Sequence, residues 1–187
     1  MKILLILLLT AMPLMADSFG VTDTSGLDVT SSFDIEDDIY GTPFTATGTG
    51  TGDSICFWSY ALNSARNVKC ALYRYGDMSL LDTTELVSIL TTDTAWYYFS
   101  FINSPAIKED TVYVVTAYGE DGVGNVYRIR DPETGVDYLY QLTVGTSYAW
   151  PTPSWTDTTR TSDYQIVIGC YFTSSSGGSL VPFIHTP

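Results

Sequence analysis

The sequence predicts an all-β protein, an antiparallel two-sheet β-sandwich, and three observations carry that prediction. Between Asn67 and Ala117 the runs NVKCALYRY, TELVSIL, AWYYFSF and TVYVVTAYG follow one another with only short polar breaks. Each run is rich in β-branched and aromatic residues and is bounded by Gly, Pro, Asp or Ser, as strands joined by turns are. No segment beyond the first sixteen residues repeats its apolar positions at a helical period. The 187 residues suit one domain with a real core and are too few for two comfortable ones.

Hydrophobic residues make up 45% of the chain, which excludes a disordered polymer. Charged residues make up only 16%, so Thr, Ser, Asn and Gly must supply much of the polar surface, a balance typical of secreted β-proteins. Residues 1–16 read as an export signal: Lys2 gives the positive start, Ile3 to Leu9 the apolar run, and Pro13 to Ala16 a small-residue exit before Asp17. A retained N-terminal anchor is the alternative, although the apolar run is shorter than the roughly 20 residues that span a bilayer. The expected divisions are therefore a signal peptide over 1–16, a β-sandwich domain over 17–173 and a flexible linker with an apolar tail over 174–187. The mature chain is expected to be secreted, extracellular or at the cell surface, without membrane insertion. Its formal charge of −13, made one unit more negative when Lys2 leaves, repels nucleic acid and anionic lipid as partners.

From Asp17 onward the elements follow in order. Asp34, Glu36, Asp37 and Asp38 alternate with Phe33, Ile35 and Ile39, which predicts an edge strand with an acidic outer face. The same four carboxylates are the candidate ligands for a calcium ion, with a solvated acidic face as the simpler reading. The Gly/Thr run from Thr45 to Gly52 lacks the Lys and following helix of a phosphate loop; it predicts an extended bend into a core strand from Ser54 to Leu62. In the next strand Val68, Cys70 and Leu72 fall on one face and Lys69, Ala71 and Tyr73 on the other, before a turn at Gly76-Asp77. Leu80 to Leu90 reads as strand by its β-branched content, with a single helical turn as the alternative. Trp96 opens a strand that Ser104-Pro105 closes, and TVYVVTAYG predicts a strand buried on both faces. The segments GEDGVGN and DPETGVD, on either side of VYRIR, have the composition of hairpin tips. The last strand, Tyr164 to Phe172, places Ile166, Ile168, Cys170 and Phe172 on one face.

Two further segments suggest contacts with something else. In YAWPTPSWTDTTR, Pro151 and Pro153 preclude a regular strand. Trp150 and Trp155, with Tyr148, then form a candidate platform for stacking on a sugar face, Asp157 and Arg160 serving as hydrogen-bonding neighbours. The competing reading folds both indoles into one end of the sandwich. After the Ser/Gly linker at 174–179, Leu180, Val181, Phe183 and Ile184 form an apolar patch that can dock on its own domain or add as a strand to a neighbouring copy. Cys56, Cys70 and Cys170 all lie in strand-like runs without metal-site spacing. One disulfide involving Cys170 plus one buried thiol is the expected arrangement, against three buried thiols.

Taken in order, DSICFWSYA, RNVKCALYRYGD, TTELVSIL, TAWYYFSF, TVYVVTAYG, WPTPSW and YQIVIGCYF resemble the jelly-roll β-sandwich modules of secreted bacterial and phage-associated surface proteins. The likeness spans roughly residues 40 to 172. It implies a jelly-roll-like winding and an accessory or adhesive role in which polysaccharide or cell-surface glycan is bound, as by carbohydrate-binding modules. No catalytic residues belong to the pattern. A departure from the pattern is expected in a module that stands without an attached enzyme domain and carries an apolar tail.

Neither route identifies a catalytic constellation, because the single histidine, His185, lies in the tail and no carboxylate pair is marked out by position. The sequence therefore predicts a non-catalytic glycan-binding or adhesion module that requires no cofactor, calcium being the one candidate. The alternative is a structural subunit that self-associates into a filament or surface layer through its edge strands and tail.

Overall fold

A computed structural model of the chain describes residues 16–25, 29–34, 38–59, 65–89, 94–119, 125–130, 139–143, 159–161 and 164–175. These residues form strands and no helix: β1 (Ala16–Gly20), β2 (Val29–Asp34), β3 (Asp38–Thr45), β4 (Gly50–Ser59), β5 (Arg66–Arg74), β6 (Leu80–Thr83), β7 (Val87–Ile89), β8 (Ala95–Ser100), β9 (Ala106–Ile107), β10 (Val112–Gly119), β11 (Asn125–Arg130), β12 (Leu139–Thr143), β13 (Thr159–Thr161), β14 (Tyr164–Ile166) and β15 (Ile168–Ser174). The larger sheet runs β1-β15-β4-β11-β14, with β8 and β9 along the other side of β4 and β2 against β11. The smaller sheet runs β13-β12-β3-β10-β5-β6, with β7 also on β5. All the pairings are antiparallel. They establish the two-sheet sandwich; the jelly-roll winding is a finer statement than these pairings make.

Period-two alternation builds the core. Ile55 and Phe57 of β4, Phe99 of β8 and Ile168, Cys170 and Phe172 of β15 point inward, where they meet Val68, Cys70 and Leu72 of β5 and Val115 of β10 in one buried cluster. Phe57, Phe99 and Phe172 are each fully buried, and each contributes about 1.5–3 kcal/mol relative to an exposed ring. Phe19 of β1 enters the same core, its ring centroid 6.0 Å from Phe172 and 5.7 Å from Tyr113. On the opposite side of β5 and β10, Ala71, Tyr73 and Val114 are also fully buried, in a second cluster with Ile39 and Tyr118. The expected burial of β10 on both faces thus holds, as does the expected division of β5.

Polar contacts tie the sheets together at the margins. Thr84 bridges to Phe101, accepting the Cys70 amide at 2.9 Å on its hydroxyl and donating its own N–H to the Cys70 carbonyl at 2.9 Å. Asp82, 5% exposed, accepts the Asn103 backbone N–H at 2.8 Å and its side-chain amide at 3.0 Å. Elsewhere the Ile166 N–H reaches the hydroxyl of Thr42 on the opposite sheet at 3.2 Å. The turn at Gly76-Asp77 forms as expected, closed by Asp77 accepting both the N–H and the hydroxyl of Ser79.

Five expectations are corrected. The acidic run is not one edge strand: Asp34 ends β2 in the larger sheet and Asp38 opens β3 inside the smaller one, so a change of sheet interrupts the alternation. Leu80 to Ile89 is two short strands with a break at residues 84–86, where Thr84 bridges the sheets. GEDGVGN and DPETGVD join strands of different sheets, β10 to β11 and β11 to β12, and are therefore not hairpin tips. The closing strand breaks at Val167, where β14 pairs with β11 while β15 pairs with β1 and β4.

The fifth correction concerns the cysteines, all three of which are buried and free. Cys56 and Cys170 occupy adjacent strands but opposite faces, since Cys170 sits across from Ile55 and Cys56 across from Gly169, and side chains pointing apart cannot be bridged. Cys70 lies in the facing sheet, and facing sheets are separated by about 10 Å, beyond disulfide reach.

Candidate functional site

The outer face of the larger sheet carries an aromatic surface whose rings pair across strands. Its register follows from alternation: once Ile55 and Phe57 point into the core, Ser54, Cys56 and Trp58 must point out. Opposite them on β8 lie Ser100, Tyr98 and Trp96, and on the other side β15 places Tyr171 across from Ser54 and Gly169 across from Cys56. The Trp58 and Trp96 ring centroids are 5.4 Å apart at 58°, a directly opposed cross-strand pair. Tyr98 and Tyr171 meet over β4 with centroids 6.1 Å apart at 40°. Tyr98 is 57% exposed, while Trp58, Trp96 and Tyr171 are partly buried. From Trp58 to Ser54 the platform runs four residues, about 14 Å, and its three strands make it about 10 Å wide.

A polar segment crosses this face. After β1, Gly20 adopts φ 88°, which turns the chain inward over β15. The Val21 N–H donates to the Ile168 carbonyl at 2.9 Å, and the Cys56 thiol donates to the Val21 carbonyl at 3.8 Å. Gly169 lies directly beneath: a Cβ there would come 2.7 Å from Thr22 Cγ2 and 2.8 Å from the Val21 oxygen. Thr22 thus packs over Gly169, two positions from Tyr171 on the same face of β15. Asp23, fully exposed, accepts the hydroxyl and the N–H of Ser25, which hold its carboxyl below the usual range, so it is ionised at neutral pH. At the far end Asp53 accepts the Thr173 hydroxyl at 2.8 Å.

Burial raises the Tyr171 hydroxyl, with Cys56, Tyr98 and Asp23 adding to the effect. Burial also pushes the Cys56 thiol up to about 12. Both groups stay neutral near pH 7, so the fixed charges on this face are the carboxylates. The face offers flat rings, hydroxyls and anionic acceptors, and among its described side chains it holds no Lys or Arg.

The residues singled out from sequence fall elsewhere. Tyr148, Trp150, Trp155 and Asp157 lie outside the described residues, in the connection between the paired neighbours β12 and β13. Arg160 is not a loop residue: it lies in β13, across from Tyr140. Of the acidic run, Asp34 pairs with Asn125 and Asp38 with Thr143 in different sheets, and Glu36 and Asp37 lie outside the described residues, as do Leu180, Val181, Phe183 and Ile184. No group of three or more His, Cys, Asp or Glu among the described residues could hold a metal ion.

Trp58, Trp96, Tyr98 and Tyr171 come from three strands that only pairing brings together. Their signal was the alternation ICFWS, AWYYFS and GCYF, in which an aromatic residue occupies the face opposite the core-forming Phe or Ile. No family model matches the chain, and none of the curated proteins matches it either.

Proposed function

We propose that this is a secreted, non-catalytic protein that binds a polysaccharide or cell-surface glycan on the outer face of its larger sheet. The observation that carries the reading is the aromatic quartet of Trp58, Trp96, Tyr98 and Tyr171 on an outward face, with Tyr98 57% exposed. Tyr and Trp rings combine an apolar surface with a polar tip, the combination required by a ligand with CH faces rimmed by hydroxyls. Rings carried on paired strands are held in place before the ligand arrives, so little ordering cost opposes binding. The export-type leader and the formal charge of −13 agree with an extracellular setting and argue against nucleic acid as the partner.

The test is retention of the purified protein on immobilised polysaccharides, comparing wild type with Trp96→Ala/Tyr98→Ala. Both residues point away from the core, so the fold should survive, as far-UV circular dichroism would verify. Loss of two ring contacts should weaken binding about tenfold or more. If wild type is not retained, or if the double variant is retained equally well, the reading is wrong. A double variant that changes only the protein's size in solution would instead identify the face as a contact between copies.

A further inference from the structure

We infer that the Val21–Ser25 segment is the polar half of this site and that it selects a neutral saccharide. This inference rests on the glycan reading above. The segment is built into the face rather than merely lying near it. Gly20 turns it inward with φ 88°, Gly169 leaves the space it occupies, and the Val21 backbone bonds to Ile168 on one side and Cys56 on the other. Any side chain at position 169 would meet the Val21 oxygen and Thr22 at less than 3 Å, so the glycine and the crossing segment require each other.

This seating sets Thr22 over Gly169, two positions from Tyr171 on the same face of β15, with the exposed Asp23 carboxylate next along the chain. Ser25 donates to both oxygens of Asp23. A carboxylate has about four acceptor sites, so the remaining ones face solvent and suit hydroxyl donors on a ring stacked over Tyr98 and Tyr171. Charge then sets the ligand class. Asp23 follows the Thr22 that packs over Gly169, Asp53 bonds Thr173 two residues beyond Tyr171, no cation appears among the described side chains of the face, and the whole chain carries −13. A sulfated or uronate glycan would bring its charge against these carboxylates without compensation. A neutral saccharide meets only acceptors for its hydroxyls.

The experiment measures retention of the full chain on three immobilised classes: neutral mannan and laminarin, anionic heparin and polygalacturonate, and cationic chitosan. Thr22→Val/Asp23→Ala and Gly169→Ala are compared with wild type and with the ring variant. The expected result is retention on a neutral class alone, reduced about tenfold or more by Thr22→Val/Asp23→Ala with an unchanged unfolding midpoint. Gly169→Ala should reduce it similarly, and the exposed double variant decides the matter if Gly169→Ala fails to fold.

Equal or stronger retention on heparin or polygalacturonate overturns the inference, as does chitosan retention that disappears with added salt. Loss of binding in the ring variant with full binding in Thr22→Val/Asp23→Ala overturns the inference and leaves the glycan reading intact. Wild type binding none of the three classes overturns both.

Discussion

Gly50→Ala is the substitution whose cost the structure defines most sharply. Gly50 opens β4 and faces Ser174 of β15 on one side and Ile107 of β9 on the other. A Cβ built there lies 2.0 Å from the Thr173 carbonyl oxygen, 2.8 Å from its carbon and 2.9 Å from the Phe172 ring. Ring tilting can relieve the last contact. The first two involve backbone, so β4 and β15 must separate by roughly 1 Å at this point, an overpacking that costs about 1–3 kcal/mol. Losing one backbone hydrogen bond of the ladder adds about 1 kcal/mol. The stiffer unfolded chain returns about 0.4–1 kcal/mol, leaving a net loss of about 1–3.6 kcal/mol. For a chain of this size that lowers the melting temperature by roughly 2–14 °C.

Gly76→Ala is the matched control, because nothing lies within 4 Å of its Cβ and its φ is not positive. It should gain about 0.4–1 kcal/mol from the same unfolded-state effect. Urea titration followed by tryptophan fluorescence reads both variants. A Gly50→Ala midpoint equal to or above that of Gly76→Ala would refute the close strand approach on which the estimate depends.

Three further outcomes follow from buried groups. The three thiols should be silent toward Ellman's reagent in the native protein at pH 8 and should all react in denaturant; a fast-reacting native thiol would contradict their burial. Burial raises all three in the folded state, Cys56 to about 12, so the native protein keeps protons that the unfolded chain releases above about 9. Their contribution is complete below that pH and is lost as pH rises from about 9 toward 12, at up to about 1.4 kcal/mol per pH unit per thiol. Cys70→Ala/Cys170→Ala should flatten this alkaline decline, and an unchanged slope would assign the decline to other groups. Asp82→Ala removes the carboxylate that accepts both Asn103 donors at the sheet margin and should cost about 2 kcal/mol. A loss below about 0.5 kcal/mol in the same titration would show that water replaces it.

Strand existence was legible where a run carried its own signal, and strand partnership was not. TVYVVTAYG is apolar at consecutive positions, and β10 is buried on both faces, Val115 and Ala117 in the sandwich core and Val114 and Tyr118 in the second cluster. VYRIR forms most of β11. Its flanking glycines suggested hairpins, yet its neighbours in sequence lie in the other sheet, because a turn composition marks only where the chain bends. The aromatic face shows the same division. Trp58 and Trp96 each occupy an outward position that alternation alone could assign, but their meeting at 5.4 Å depends on β4 and β8 pairing in one particular register. The two tryptophans of YAWPTPSWTDTTR stand out because they share one short segment, whereas Trp58 and Trp96 lie in different strands and meet only through pairing.

Local chemistry in the chain determined the all-β class, the inward faces of β5 and β15, the double burial of β10 and the turn at Gly76. Those features depend on side-chain period, β-branching and turn residues, which act over a few positions. Tertiary structure alone decided which sheet each strand joins, why Cys56 and Cys170 cannot bond, and how Gly20 and Gly169 admit Thr22 and Asp23 to an aromatic face. Each of these depends on pairing register between segments distant in the sequence, where shifting a strand by one residue would exchange core and surface along its whole length.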